Sequence, residues 1–304
     1  MQLVHRLLQR RLIVVTGKGG VGKSAFASVL GCSLARRGRR ALVLEVDPRE
    51  NLHQMLGVAP SGGEIVPVRD RLYLQNLKPR QVVDWVVKKQ VRIKMLVERV
   101  LRSPIYHRFV EGAPGLTEVA ILGHAMRLAR GDLRRAPKVD VVILDAPATG
   151  HGVYLLTAPK LFAETIGEGP FAELASEVAG YVADPEVSGL AVVTLAEELP
   201  VQEALELRRE LADRLDRQPE LLIANGLYPK LAETADTELA ALWRQRRELN
   251  VSELERLSQR WSGPRIDLPL LPIDRGVELV DSLAEHFDEA LDHDAALDQG
   301  VEVP

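Results

Sequence analysis

A glycine-rich segment of eight residues carries the strongest chemical signal in this sequence. It reads Gly17, Lys18, Gly19, Gly20, Val21, Gly22, Lys23 and Ser24, which fits the pattern G-x-x-x-x-G-K-[ST]. Glycines let the backbone wrap until successive amide hydrogens point at phosphate oxygens, Lys23 brings a positive charge to the β and γ phosphates, and Ser24 offers a hydroxyl to Mg²⁺. A simple glycine turn is the alternative. An apolar run before the segment and a helical run from Ala25 after it favour nucleotide binding.

A carboxylate gives the second signal. Asp145 directly follows the apolar run 139–144, and a proline and a glycine, Pro147 and Gly150, come soon after it. A carboxylate at the carboxyl end of a buried strand can meet Mg²⁺ through water, and the segment behind it can move with the γ-phosphate of a nucleotide. An aspartate after a strand is a weak signal when taken alone.

Seven short runs rich in valine, isoleucine and leucine predict the strands that position these residues. They are residues 12–15, 41–46, 72–77, 139–144, 190–195, 221–224 and 266–268. Several runs are apolar throughout, as strands buried on both faces of a parallel sheet are. We therefore expect an α/β fold with a doubly wound, mostly parallel sheet of about seven or eight strands.

The helical patterns in the middle of the chain are longer than one crossover requires. Residues 82–101 and 116–129 form one stretch and residues 161–183 form another. We interpret them as a helical subdomain of about residues 78–136 and 160–186 inside a single domain of residues 1–291. The acidic residues 292–304 predict a disordered tail.

Composition narrows the class of protein. The 304 residues include one cysteine, Cys32, which excludes an internal disulfide and a cysteine-only zinc site and favours a reducing compartment. No apolar run is long enough to span a bilayer, so we expect no membrane span and a cytoplasmic protein.

Charge is distributed unevenly along the chain. The net charge of −4 conceals a basic half, residues 1–150, with 26 basic and 12 acidic side chains, and an acidic half with 13 and 31. A bound nucleotide accounts for a small part of this imbalance, so we expect complementary surfaces within a dimer or toward a partner.

Lys18 separates this phosphate loop from the common kind, since a lysine there is superfluous for holding phosphate within one subunit. The loop thus resembles the deviant Walker A class of P-loop ATPases. The string D-A-P-A-T-G-H-G at 145–152 resembles the second switch of the arsenite-pump (ArsA-like) and tail-anchored-protein-targeting ATPases, and most closely that of bacterial single-unit members.

Further segments resemble the same family in the same order. The family's first switch is similar to Asp47-Pro48 with Asn51, Leu52 and Gly57, and the start of one of its helices is similar to residues 114–118. Its adenine-reading asparagine matches Asn225, and its adenine loop is similar to residues 269–277. The resemblance extends from residue 12 to about residue 280.

The resemblance implies a dimeric hydrolase that binds and hydrolyses Mg·ATP, in which Lys18 crosses to the partner's ATP and stabilises transition-state charge. It implies catalytic roles for Lys18, Lys23, Asp47, Gln54 and Asp145. It implies nucleotide contacts from residues 17–25, Pro147, Asn225, Pro272, Ile273 and Asp274. It also implies that Ser24 binds Mg²⁺ directly, while Asp47 and Asp145 bind it through water.

The sequence departs from the family pattern at several places. Gln54 stands where the targeting ATPase has an aspartate that orients the attacking water. A glutamine can orient water but cannot accept its proton, so we expect slow hydrolysis or a changed way of triggering it. The paired zinc cysteines and the arsenite-binding thiols are absent, so we expect neither zinc nor an arsenite site. The tandem pump ATPase is about twice this length, which predicts a homodimer or a heterodimer with a paralogous ATPase.

The family also implies a helical surface whose access to a protein client, such as a membrane-protein segment, is controlled by nucleotide-driven dimer closure. The helical stretch carries an apolar stripe, namely Val82, Val86, Ile93, Leu96, Val97 and Val100, and a basic face, namely Lys88, Lys89, Arg92, Arg99 and Arg102. An amphipathic helix packed on the sheet, with a solvated basic face, is the alternative.

Two other functions stay open. One is a nucleotide-switched positioning scaffold of the MinD or ParA type, although the acidic end of the chain is unlike a membrane-binding basic helix and we expect no nucleic-acid partner. The other is a slow or pseudo-ATPase subunit of a heterodimer.

Overall fold

Apolar side chains alternate between the two faces of a single sheet, and both faces are covered. The computed structural model describes residues 2–47, 50–90, 94–147, 152–231 and 237–298, and eight strands of this part of the chain form the sheet. The strands are β1 (Leu12–Thr16), β2 (Ala41–Glu45), β3 (Val66–Arg69), β4 (Leu72–Asn76), β5 (Val141–Asp145), β6 (Ser188–Leu195), β7 (Leu221–Leu227) and β8 (Arg265–Pro269). Their order is β3-β4-β2-β5-β1-β6-β7-β8, with β3–β4 antiparallel and the other pairs parallel. The predicted doubly wound α/β sheet is confirmed.

The helices described lie on both sides of this sheet. They are α1 (Gln2–Gln9), α2 (Lys23–Arg36), α3 (Leu52–Met55), α4 (Pro79–Gln90), α5 (Lys94–Leu101), α6 (Pro104–Gly112), α7 (Leu116–Arg130), α8 (Gly152–Ile166), α9 (Pro170–Ala183), α10 (Glu198–Leu215), α11 (Glu238–Ser258) and α12 (Val277–Asp298).

Strand β1 shows how the two layers of the core form. Leu12 and Val14 belong to a hydrophobic layer shared with α4, α7, α8 and α9, whereas Ile13 and Val15 belong to a layer shared with α1, α2 and α12. All five residues of β1 are buried. An apolar run without polar alternation therefore marks a central strand here, as predicted from the sequence.

Two of the elements that the sequence analysis missed show what it could not detect. The edge strand β3 has only four residues, includes Pro67 and is not fully buried, so it lacks the continuous apolar run used to identify strands. Helix α1 is short and carries basic residues, yet Val4 and Leu7 are fully buried in the second layer. Both elements owe their structure to tertiary packing.

The predicted disordered tail is wrong for residues 292–298, because α12 continues to Asp298. Leu291, the last residue of the predicted domain, is buried, and Asp292 accepts a hydrogen bond from Arg37 at 2.8 Å. These contacts anchor the helix beyond the predicted end. Residues 299–304 lie outside the described residues. The extent of a helical subdomain at 78–136 and 160–186 stays a prediction.

The uneven charge is partly neutralised within the chain. Arg36 and Arg37 at the end of α2, together with Arg69 of β3, form ion pairs with the aspartates of α12. The Arg69 Nη1–Asp281 Oδ1 distance is 2.6 Å. The described complementary surfaces lie between the basic and acidic halves of one chain. Complementary surfaces within a dimer or toward a partner stay a prediction.

Candidate functional site

The parallel strands bring the chemically active residues to one edge of the sheet. Residues 17–24 follow β1, while Asp145 and Glu45 close β5 and β2 and lie in register with each other. Asn225 lies near the end of β7, and residues 270–276 follow β8. The carboxyl ends of parallel strands share an edge, so segments more than 200 residues apart in sequence meet there.

Two glycines of the loop are required by its geometry. Gly17 has φ 146°, and a Cβ at this position would collide with the carbonyl oxygen of Val193 on β6. Gly22 has φ 95° and precedes α2, and a Cβ there would collide with the side-chain amide of Asn225. Both positions combine a left-handed backbone with no room for a side chain, which only glycine tolerates.

Lys23 lies inside this loop. Its side chain is buried and its Nζ donates a hydrogen bond to the Lys18 carbonyl oxygen at 2.7 Å. Burial lowers the pKa of Lys23, and the nearby Asp145 opposes that shift. The ammonium is held where the loop closes, and its contact with phosphate stays a prediction.

Ser24 and Asp145 are in direct contact. The Ser24 hydroxyl donates to Asp145 Oδ2 at 2.6 Å, while Oδ1 is buried and has no hydrogen-bond partner in the described part of the chain. Burial raises the pKa of Asp145 to about 7, against the opposing effects of Ser24 and Lys23. A buried carboxylate oxygen without a partner is costly unless a ligand satisfies it.

Glu45 is a buried carboxylate that the sequence analysis missed. It is 1% exposed and lies beside Asp145 on the neighbouring strand. Its Oε1 accepts hydrogen bonds from the backbone nitrogens of Asn51 and Leu52 at 2.7 and 3.0 Å, and its Oε2 accepts one from Asn76 at 3.1 Å. Burial raises its pKa despite these bonds. The available signal was a charged residue ending the apolar run 41–44.

The first-switch residues lie next to Glu45. The Asp47 carbonyl oxygen accepts a hydrogen bond from Asn76 at 2.6 Å, so β4 holds the segment after β2. Gln54 is exposed on α3, whereas Leu52 at the start of that helix is buried. The roles of Asp47 and Gln54 stay predictions. Pro48 lies outside the described residues.

The predicted adenine residues lie along the same edge. The Asn225 side-chain nitrogen donates to the Val21 carbonyl oxygen at 3.0 Å, which places Asn225 against the phosphate loop. Pro272 and Asp274 are exposed and Ile273 is half-buried in the turn before α12. Their contact with adenine stays a prediction. Pro147 is half-buried, and the switch residues 148–151 lie outside the described residues.

Lys18 has a different partner from Lys23. Its Nζ lies 3.3 Å from Glu203 Oε1 on α10, and 44% of the Lys18 side chain is exposed. Its ammonium is therefore engaged with a carboxylate of its own chain.

The described part of the helical stretch packs mostly as an amphipathic helix with a solvated basic face, which was the alternative to a client surface. Val82 and Val86 are buried in the layer that α4 shares with α7. Lys88, Arg99 and Arg102 are exposed. Ile93 and Arg92 lie outside the described residues, as do the side chains of Lys89, Leu96 and Val97. Of the stripe residues whose side chains are described, Val82 and Val86 are buried and Val100 is half-buried.

Comparison with known proteins agrees with this geometry. Residues 10–175 match the sequence profile of the ArsA ATPase family, described as anion-transporting ATPases. The chain is 30% identical over 247 residues to a putative ATPase of Mycobacterium bovis, an alignment that covers 78% of this chain and 71% of that protein.

Longer relatives match across much of the chain. Identity to an arsenical pump-driving ATPase of Acidiphilium multivorum is 27% over 295 residues, or 91% of this chain and 49% of that protein. Identity to an arsenical pump-driving ATPase of Escherichia coli is 26% over 255 residues, or 77% of this chain and 42% of that protein. This chain spans less than half the length of these pump ATPases.

The chain belongs to the anion-transporting (ArsA) ATPase family. It is a nucleotide-binding ATPase, as predicted from the phosphate loop and the two switches. Within the described residues, no helix has the length and apolar character needed to cross a membrane.

Proposed function

We propose that the protein is a Mg·ATP-dependent ATPase that acts as a dimer, with nucleotide-driven closure controlling a helical surface for a protein partner. The environment of Asp145 carries this proposal. A carboxylate that is 5% exposed has one oxygen on Ser24 and the other without a described partner, directly beside Lys23. Such an arrangement is unfavourable in an empty site and favourable beside a cation.

The residues present fit Mg²⁺. Ser24 would hold the ion through its hydroxyl, and Asp145 and Asp47 would hold it through water, which suits an ion that retains much of its hydration. No group of three or more His, Cys, Asp or Glu side chains able to hold a metal occurs in the part of the chain that was searched. Mg²⁺ would neutralise phosphate charge during hydrolysis.

The chain's own groups would do the remaining work. The amides of residues 17–24 and the N-terminus of α2 would bind the phosphates, and Lys23 would neutralise their charge. Lys18 would act across the dimer on the partner's nucleotide. Gln54 would orient the attacking water without accepting its proton, which supports slow hydrolysis.

The path from nucleotide to partner surface would pass through α8. This helix begins at Gly152, directly after the segment that follows Asp145, and packs against α7 and α9. A shift at the start of α8 would therefore be passed to α7 and α9. Two exposed apolar side chains, Leu161 of α8 at 52% and Ile105 of α6 at 80%, support a role in partner contact.

Steady-state ATP hydrolysis by the purified chain tests the catalytic part. We expect Mg²⁺-dependent turnover that rises more than linearly with protein concentration and is lost in Lys18→Ala, together with ATP-dependent dimers in sedimentation. Turnover strictly proportional to protein concentration, without dimers, would contradict the dimer. Turnover that appears only after a paralogue is added would instead support the heterodimer with a slow subunit.

Affinity capture tests the partner surface. One chain carries the hydrolysis-impairing substitution Asp145→Asn and is captured with ATP. The matched chain carries Asp145→Asn together with Ile105→Asp and Leu161→Asp. We expect an associated protein or membrane segment that is retained by the first chain and lost from the second. Equal recovery by both chains would contradict a partner site on α6 and α8.

A further inference from the structure

The two lysines of the phosphate loop are held by different parts of the molecule. Lys23 is buried and bonded to the loop itself, whereas the Lys18 ammonium lies 3.3 Å from Glu203 on α10. Glu203 is well covered, since only 20% of its side chain is exposed. The Glu203 carboxylate is therefore the more covered member of the pair, and the more exposed Lys18 side chain can form or break the contact.

The face of α10 toward the loop is acidic. Glu203, Glu206 and Glu210 recur at intervals of three and four residues, which places them on one side of the helix. With Gly17 and Lys18 they line a small cavity of about 80 Å³ between the loop and the helix. The described lining contains these three carboxylates and one cation, Lys18. Of the three carboxylates, Glu203 forms the described ion pair with Lys18 and draws the ammonium toward α10.

We propose that Glu203 is a positioning residue that holds Lys18 in a resting arrangement, from which the nucleotide of a partner subunit must draw it. The inference rests on the proposed dimer, since it concerns when Lys18 becomes free to act in it. A triphosphate carries several negative charges and competes strongly with one carboxylate. An ion pair with this exposure shifts an equilibrium by only about two- to fivefold. The contact thus raises the protein concentration needed for dimer closure, and closure still occurs.

ATP hydrolysis as a function of protein concentration tests the effect on closure. In Glu203→Gln we expect the protein concentration for half-maximal turnover to fall about two- to fivefold, with unchanged maximal turnover per chain. Glu210→Gln is the matched control. It removes the same charge from the same helix face but has no ion pair with Lys18 among the described contacts, and it should behave like the wild type.

The Lys18→Ala background separates this effect from general electrostatics. There, Glu203→Gln should leave ATP-dependent self-association unchanged, as measured by sedimentation. The proposal is overturned if the shift persists in that background, if Glu210→Gln gives the same shift, or if Glu203→Gln lowers maximal turnover. The last result would mean that Glu203 assists catalysis.

Chemical labelling examines the contact without any dimer. Limited acetylation of the nucleotide-free protein, followed by mass spectrometry, should modify Lys18 about two- to fivefold faster in Glu203→Gln than in Glu210→Gln. The exposed Lys230 serves as the internal reference. Equal labelling overturns the resting contact, whatever the oligomeric state. Faster labelling without ATP-dependent dimers in any variant supports the contact and overturns the proposed dimer.

Discussion

Two aspartates, one directly before β5 and one at its last residue, are in opposite electrostatic situations. At the amino end, Asp140 accepts three hydrogen bonds from Arg40, from its backbone nitrogen at 2.8 Å, its Nε at 3.1 Å and its Nη2 at 2.6 Å. These bonds lower the pKa of Asp140 to about 2. At the carboxyl end, burial raises the pKa of Asp145 to about 7, and one oxygen lacks a described partner.

The comparison separates a carboxylate whose charge is compensated by an arginine of the same chain from one that has a buried oxygen without a described partner. Asp140 has its counter-charge within the protein and is about one-third exposed. Asp145 is nine-tenths buried, with Glu45 as an acidic neighbour in register. The same residue type therefore has its charge compensated directly before the strand and poorly compensated at the strand's last residue. The predictions below test that contrast.

Asp145→Asn should have the largest effect on activity. We expect ATP turnover to fall on the order of 100-fold, since the group that positions the metal and Ser24 loses its charge. The nucleotide-free protein should at the same time unfold at a higher temperature, because a poorly compensated buried charge is removed. Turnover assays and thermal unfolding in EDTA measure the two effects. Loss of both activity and stability would mean that Asp145 is a structural residue.

The pH dependence of stability should differ in sign between the two aspartates. Without metal or nucleotide, folded Asp145 keeps its proton up to about pH 7, whereas an unfolded aspartate loses it near 3.8. Stability relative to Asp145→Asn should therefore fall as pH rises from about 4 to 7, by about 1.4 kcal/mol for each unit of pKa difference.

Asp140 provides the opposite limb of the same experiment. Because its folded pKa is lowered, stability relative to Asp140→Asn should be present above about pH 4 and lost as pH falls toward 2. Urea unfolding measured from about pH 2 to pH 8 follows both limbs. Parallel curves for the two substitutions would contradict the contrast.

Asp140→Asn should cost about 0.5–1 kcal/mol of stability at pH 7, a value kept small by the solvent exposure of the pair. ATP turnover should stay within about twofold of the wild type, since the residue lies at the edge of the sheet opposite the phosphate loop. A large loss of turnover in a folded protein would mean that the two ends of β5 are coupled.

Arg40→Lys should give the smallest effect. Lysine keeps the positive charge but cannot form the two-pronged contact that the guanidinium makes with both Asp140 oxygens. We expect a shift of the urea midpoint smaller than half that of Asp140→Asn. A shift as large as that of Asp140→Asn would show that the geometry of the contact, more than the charge, stabilises this end.

Much of the site was predictable because its signals are local. The loop 17–24 needs glycine at fixed positions, and a strand before it and a helix after it complete the pattern. Asp145 was found because a charged residue ends an apolar run. Glu45 ends a similar run and was missed, because nothing in its own segment indicates that β2 and β5 are neighbours. The short β3 and α1 were missed because their stability depends on what covers them.

The sequence by itself determined the phosphate loop, the central strands and the family, since backbone sterics and continuous apolar runs are properties of neighbouring residues. Only the tertiary structure decided which charges are satisfied. It paired the basic end of α2 with α12, gave Asp140 its arginine, left one Asp145 oxygen without a described partner and set Lys18 against Glu203. Whether a charge is satisfied depends on burial and on partners distant in sequence, and folding alone brings these together.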